Sequence, residues 1–140
     1  MNIVQRARES DPGRKTGPVL IIEDELDLLR TYERLFRRLG YDALTAQCGA
    51  EGLRLADSQR LGLVIADLKL PDIDGLTVVE AIRAIPDRPS IIVVSGFAST
   101  QARRAALAAG ADAYLAKPFE VSTLVALIRN VTARSRGTLG

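Results

Sequence analysis

Short apolar runs alternate with stretches of helical periodicity along most of this 140-residue chain. The runs VLII and IIVV are continuous, whereas a strand with one solvated face would alternate, so they indicate strands buried on both sides. Between the runs, apolar residues recur every three or four positions, and glycine follows two of these stretches as a helix stop. The pattern predicts strands over 19–22, 41–46, 63–66, 90–94 and 112–116, and helices over 28–39, 50–57, 76–83, 100–109 and 121–131.

Five strands interleaved with five helices predict an α/β fold. Parallel strands need crossover connections, so the helices are expected on both faces of a five-stranded parallel sheet, in three layers. Ligands of such folds bind beyond the carboxyl ends of the strands. One domain over residues 18–131 accounts for the whole pattern. The segments rich in Gly, Pro, Ser and Thr outside it predict flexible tails over 1–17 and 132–140.

Composition narrows the class of protein. A hydrophobic content of 47% is sufficient for a real core, and the longest apolar runs fall far short of the ~20 residues of a membrane span. The first thirty residues lack the pattern of a secretory signal, so we expect a cytoplasmic protein with no membrane partner. A single cysteine, Cys48, and the absence of histidine exclude an internal disulfide and a zinc site built from these residues. Any bound metal must therefore use oxygen ligands.

The net charge of +2 comes from the ends of the chain. Residues 1–17 carry four basic and two acidic side chains, and residues 129–140 carry three arginines and no acid. The segment 18–128 that remains has 12 basic and 15 acidic residues, a net charge of −3. Solvated termini are a better interpretation than an arm that binds a polyanion, so we expect no direct contact with nucleic acid.

Charged and polar residues follow four of the predicted strands at the point where each strand ends. They are Glu23 and Asp24, Asp67, Ser95 and Lys117. Carboxylates that lie close together raise one another's pKa unless a cation neutralises them, and a hard ion such as Mg²⁺ prefers oxygen ligands. The alternative is that acids collect where strands meet polar loops. It suits any one of these residues but is disfavoured for all five together.

The motifs IIEDE, ADLKLPDIDG, VVSG and AKPF, in this order and spacing, resemble the receiver domain of bacterial two-component response regulators, of the single-domain CheY-like type. The resemblance covers about residues 18–131. It implies a flavodoxin-like fold with strand order 2-1-3-4-5. It also implies that Asp67 accepts a phosphoryl group and that Lys117 pairs with a phosphoryl oxygen. Asp24, Asp67 and the carbonyl of Lys69 would ligate Mg²⁺, and Glu23 would do so directly or through water.

The same resemblance implies a conformational switch. Ser95 would donate a hydrogen bond to the phosphoryl group, and the ring of Tyr114 would turn into the space that opens, so that the surface of helix 4, strand 5 and helix 5 repacks. The Lys117–Pro118 bond would be cis. Glu23 stands where the family more often has Asp, and Ser95 where it more often has Thr. We also expect the bulky Phe97 to shield the acyl phosphate from water.

The expected function is a signalling phosphoacceptor, not an enzyme, that takes phosphate from a sensor histidine kinase or a histidine phosphotransfer protein. The downstream effector is unknown, and phosphorylation-dependent homodimerisation is an option. Alternatives within the family are a phosphorelay shuttle and the N-terminal receiver of a longer DNA-binding regulator. The few residues after Val131 leave no room for a DNA-binding domain, so we expect the output to come from a partner or from chain beyond this sequence. A flavin binder is disfavoured because the acids after the first strand would repel phosphate, and an aspartate phosphatase because its nucleophile belongs on the first strand.

Overall fold

The fold is a parallel sheet enclosed by helices, seen in a computed structural model that describes residues 17–96 and 99–137. The five strands lie in the order β2-β1-β3-β4-β5, and every neighbouring pair is parallel. Fold class and strand order are therefore confirmed. In chain order the elements are β1 (Val19–Ile22), α1 (Leu26–Arg38), β2 (Ala43–Ala46), α2 (Gly49–Ser58), β3 (Leu63–Ala66), α3 (Gly75–Arg83), β4 (Ser90–Ser95), α4 (Thr100–Ala109), β5 (Ala113–Ala116) and α5 (Val121–Gly137).

The three central strands supply the core on both faces of the sheet. Alternate residues of β1 separate accordingly: Leu20 and Ile22 pack toward α2, α3 and α4, whereas Val19 and Ile21 pack toward α1 and α5. All four residues of β1 and all four of β3 are buried. Uninterrupted apolar runs are what a strand covered on two sides requires. Among the described helices, none combines the length and apolar character needed to cross a bilayer.

The last helix is longer than the sequence predicts. Its expected end is Val131, but α5 continues to Gly137. Val131 and Thr132 are both buried, and the Thr132 hydroxyl donates a 2.8 Å hydrogen bond to the carbonyl of Ile128, one turn earlier. This bond satisfies the hydroxyl of Thr132, a residue that the sequence analysis assigns to the flexible C-terminal tail. Residues 132–137 of the predicted C-terminal tail are thus helical, whereas residues 1–16 and 138–140 lie outside the described residues and their flexibility stays a prediction.

The N-terminus of α2 is capped by a residue that is distant in sequence. Its own N-cap, Cys48, makes no side-chain cap bond. Instead the Asp72 carboxylate, in the loop after β3, accepts hydrogen bonds of 2.7 Å from the Gly49 N–H and 2.8 Å from the Ala50 N–H. A negative charge at this end of a helix also interacts favourably with the helix dipole. Asp72 therefore ties the loop after β3 to α2.

We expect Asp72→Asn to lower thermal stability at neutral pH, by an amount that shrinks as the pH falls. The main-chain N–H groups of Ala50 and Gly49 hold the pKa of the Asp72 carboxyl below its ordinary value of 3.8, because they stabilise the charged form in the folded state. The contribution is complete above the unfolded-state pKa and is lost as the pH falls through the folded-state value. Melting temperatures of both proteins from about pH 3 to about pH 7 measure it.

Glu51→Gln is the matched control, because it removes an acidic charge from the first turn of α2 and leaves the cap bonds in place. If both variants change the melting temperature equally at every pH, the cap is not the source of the stabilisation.

Candidate functional site

Three carboxylates meet at the carboxyl edge of the sheet. One oxygen each from Glu23, Asp24 and Asp67 lies within 4.8 Å of the other two. Glu23 is 2% exposed and Asp67 is 8% exposed, while Asp24 is open to solvent. The cluster follows from the sheet register, since β1 and β3 pair Ile22 with Ala66 and end at the same level.

The backbone hydrogen bonds between strands continue one residue past the ends of β1 and β3. The Glu23 N–H donates to the Ala46 carbonyl at 3.0 Å, and the Asp67 N–H donates to the Ile22 carbonyl at 3.1 Å. Both side chains therefore start from backbone that the sheet holds in place. The two carboxylates are fixed beside each other before any ligand arrives.

Lys117 joins the two buried carboxylates. Its Nζ donates to Glu23 Oε1 at 2.7 Å and to Asp67 Oδ2 at 2.9 Å. The Lys117 main-chain N–H donates to the Ser95 carbonyl at 2.7 Å, which places the start of its side chain at the end of β4. The following Lys117–Pro118 bond is cis, as predicted. These contacts make one ion-paired network from three strand ends.

Burial and pairing shift the pKa values of this network. Burial raises the pKa of the Glu23 carboxyl, and the hydrogen bond from Lys117 and that from the Glu25 N–H oppose the shift. Burial alone would lower the pKa of Lys117, but its hydrogen bonds to Asp67 and Glu23 outweigh burial and raise the pKa. The Lys117 side chain is therefore protonated and positively charged at neutral pH.

The donor set suits a hard divalent cation. All three side chains offer carboxylate oxygens, which Mg²⁺ and Ca²⁺ prefer. Two of these oxygens are oriented by main-chain donors: Asp67 Oδ1 accepts from the Lys69 N–H at 3.0 Å, and Glu23 Oε2 accepts from the Glu25 N–H at 3.1 Å. A carboxylate oxygen can accept more than one interaction, so these bonds leave capacity for a metal. The role of the Lys69 carbonyl as a ligand stays a prediction.

Two further predicted residues lie on the β4–β5 side of the site. Ser95 is the last residue of β4, is fully buried and pairs in register with Ala116, the residue before Lys117. Tyr114 pairs with Val93, is half-buried and packs on the face of the sheet that carries α4. Their roles in a switch stay predictions. Phe97, expected to shield the acyl phosphate, lies outside the described residues.

One aromatic pair at the site is missing from the sequence-based prediction. Tyr32 of α1 stacks on Phe119, with ring centroids 6.1 Å apart and an angle of 16° between the planes. Tyr32 has the helical spacing of a core residue, and its polar hydroxyl is the sequence signal that distinguishes it from the apolar residues of that core. Phe119 directly follows the cis Lys117–Pro118 bond, so the aromatic pair lies next to the segment that carries Lys117.

Comparisons with known proteins agree with this arrangement. A family model for the response regulator receiver domain matches residues 19–129. The chain is 38% identical over 128 residues to the transcriptional regulatory protein PrrA of Mycobacterium tuberculosis, an alignment that covers 91% of this chain and 55% of PrrA. The chain spans about half the length of the curated relatives it matches.

Solved structures show the same likeness. A CheY-like response regulator receiver domain from Methanospirillum hungatei superposes with a TM-score of 0.79 at 29% identity, covering 90% of this chain and 100% of that one. A response regulator from Burkholderia pseudomallei, solved with a phosphorylated aspartic acid, a calcium ion and citrate, has a TM-score of 0.75 at 28% identity and covers 89% of this chain and 74% of that one.

Proposed function

Because this chain belongs to the response regulator receiver domain family, we propose that it accepts a phosphoryl group from a phosphohistidine partner onto Asp67 and changes a protein-binding surface in response. One observation carries the proposal. The buried Asp67 carboxylate is held by the Lys117 ammonium and lies within 4.8 Å of two further carboxylates. This arrangement gives a nucleophile, a fixed positive charge and a set of metal ligands at one edge of the sheet.

Phosphoryl transfer to Asp67 needs little covalent machinery. A carboxylate oxygen of Asp67 forms a bond to phosphorus while the bond from phosphorus to the donor's imidazole nitrogen breaks, and the imidazole leaves with that electron pair. Lys117 would turn from Asp67 Oδ2 to a phosphoryl oxygen and offset the added charge. The ladder bond from the Asp67 N–H keeps the acceptor in place during the transfer.

The residues that would hold Mg²⁺ are Glu23, Asp24, Asp67 and the carbonyl of Lys69. Their support is the oxygen donor set and the close approach of the three carboxylates. When bound, the ion supplies positive charge to the phosphoryl oxygens, which is most of what this chemistry requires. The Burkholderia relative, with its phosphorylated aspartic acid and calcium ion, is consistent with a divalent cation at such a site.

The response to phosphorylation would start at Ser95 and reach Tyr114. Ser95 ends the strand beside β5, and its carbonyl already binds the Lys117 N–H. A hydrogen bond from its hydroxyl to the phosphoryl group would draw in the loop after β4, and Tyr114 would repack against α4. The surface of α4, β5 and α5 would then bind an effector protein or a second copy of the chain. The phosphate donor would be a sensor histidine kinase or a histidine phosphotransfer protein, and the cytoplasmic location stays a prediction.

A second candidate is the receiver portion of a longer transcriptional regulator. The observation that favours it is the alignment with PrrA, which covers 91% of this chain but 55% of that protein. In this version the switch would act on a DNA-binding segment of the same protein. A phosphorelay shuttle, which passes the phosphate to another histidine, uses the same site.

Acetyl phosphate and Mg²⁺ test the proposal directly. We expect intact-mass spectra of the wild-type protein to show one added phosphoryl group that is labile to base, because an acyl phosphate is a mixed anhydride. Chelation of Mg²⁺ before the addition should prevent the gain, since the carboxylates then repel the incoming phosphate. Unchanged mass with Mg²⁺ present, using both acetyl phosphate and a phosphorylated histidine donor, would refute the proposed function.

A further inference from the structure

The hydroxyl of Tyr32 is buried without a hydrogen-bond partner among the residues that the structure describes. Tyr32 is only 5% exposed. Burying a hydroxyl without a partner costs about 1–3 kcal/mol, so such groups are rare and call for an explanation. A phenylalanine at this position would fill nearly the same space without that cost.

Tyr32 lies against the segment that follows Lys117. Helical side chains lean toward the N-terminus of their helix, and α1 begins at Leu26, two residues after Asp24. The ring of Phe119, two residues after Lys117, stacks on the Tyr32 ring. Burial raises the pKa of Tyr32 to about 12, and the charges of Lys117, Glu23 and Asp67 also act on it. The hydroxyl thus lies within the electrostatic reach of the site.

Lys117 has one donor more than its two carboxylate contacts use. An ammonium group carries three protons, and its two bonds go to Glu23 and Asp67. When Asp67 carries a phosphoryl group, the bond to Asp67 must be redirected to a phosphoryl oxygen. The ammonium then moves while its bond to Glu23 remains, and it needs a further acceptor that holds its new position. A tyrosine hydroxyl can accept such a bond.

We propose that Tyr32 is a positioning residue whose hydroxyl accepts a hydrogen bond from Lys117 once the ammonium has turned to the phosphoryl group on Asp67. The inference rests on the proposed function. In this scheme the hydroxyl, which has no partner among the described residues of the resting protein, gains one in the phosphorylated protein. Tyr32 therefore favours the phosphorylated state over the resting state.

Tyr32→Phe separates this role from a structural one. Beryllofluoride with Mg²⁺ mimics the phosphoryl group, and titration of the melting temperature gives its apparent affinity. We expect the variant to be at least as stable as wild type before the mimic is added. We expect it to bind the mimic roughly tenfold more weakly, the effect of losing one hydrogen bond to a charged group. A merely structural role would lower the resting stability instead.

Tyr41→Phe is the matched control. Tyr41 is buried in the same apolar cluster, lies edge-on to Phe36 and precedes β2 at the opposite edge of the sheet. We expect it to bind beryllofluoride as wild type does. Equal affinity in Tyr32→Phe and wild type, an equal loss in both variants, or a lower resting stability of Tyr32→Phe would overturn the role of Tyr32. If the wild-type protein neither binds beryllofluoride nor takes up phosphate, the proposed function is wrong, and the role of Tyr32, which rests on that function, is wrong as well.

Discussion

Asp67→Asn is expected to take up no phosphoryl group from acetyl phosphate under conditions in which the wild type gains one. The amide that replaces the carboxylate is not a nucleophile, and no neighbouring acid can substitute for Asp67 in the same place. Glu23, the other buried carboxylate, is bonded on both oxygens, to Lys117 and to the Glu25 N–H. Intact mass before and after incubation with Mg²⁺ measures the gain.

Asp57→Asn is the control for this experiment. Asp57 is an exposed acid near the end of α2, away from the carboxyl edge of the sheet. Its variant should gain one phosphoryl group, as the wild type does. If Asp67→Asn is still labelled, peptide mapping would identify another acceptor, and the assignment of Asp67 would be wrong.

Lys117→Met is expected to reduce the free energy of unfolding by about 3 kcal/mol in the absence of Mg²⁺. The side chains of Glu23 and Asp67 are only 3% and 9% exposed, so removal of the ammonium leaves two buried carboxylates without their shared cation. Methionine keeps most of the aliphatic stem, which limits the effect of lost packing. Urea unfolding in the presence of a chelator measures the loss.

Mg²⁺ should restore part of this stability. A cation that binds the folded state stabilises it more the more tightly it binds, and without Lys117 the buried carboxylates should bind Mg²⁺ more tightly. The stabilisation by Mg²⁺ should therefore be larger in Lys117→Met than in the wild type. Arg60→Met, which breaks a surface ion pair with Asp87, is the control and should change stability little. Equal, small losses in both variants would show that the Lys117 network does not stabilise the fold.

The helices and strands are predictable from this sequence because each strand or helix face that is buried shows a regular pattern of apolar residues. Strands covered on two faces carry uninterrupted apolar runs, such as VLII in β1 and IIVV in β4. The order of the strands cannot be predicted in this way, because no local sequence pattern indicates which strands are neighbours in the sheet. It came from the family resemblance, and the structure confirms it.

The sequence predicts where the site lies, but it does not predict which hydrogen bonds and ion pairs form there. Parallel strands that end at one edge bring Glu23, Asp24 and Asp67 together whatever the detailed geometry. The bridge from Lys117 to both Glu23 and Asp67 depends on the path of its side chain, and the cap that Asp72 places on α2 joins residues more than twenty positions apart. Such contacts depend on tertiary packing, which periodicity does not describe.

The continued ladder at Glu23 and Asp67 has a mechanical consequence. Because both residues are tied by backbone bonds into the stiff centre of the sheet, the acceptor side of the site resists displacement. If Asp67 is phosphorylated as proposed, we expect the resulting strain to be relieved toward β4 and β5, where the Lys117 ammonium is carried on a long, rotatable side chain. Under the proposed function, the architecture would direct the response from the centre of the sheet outward to the β4–β5 flank.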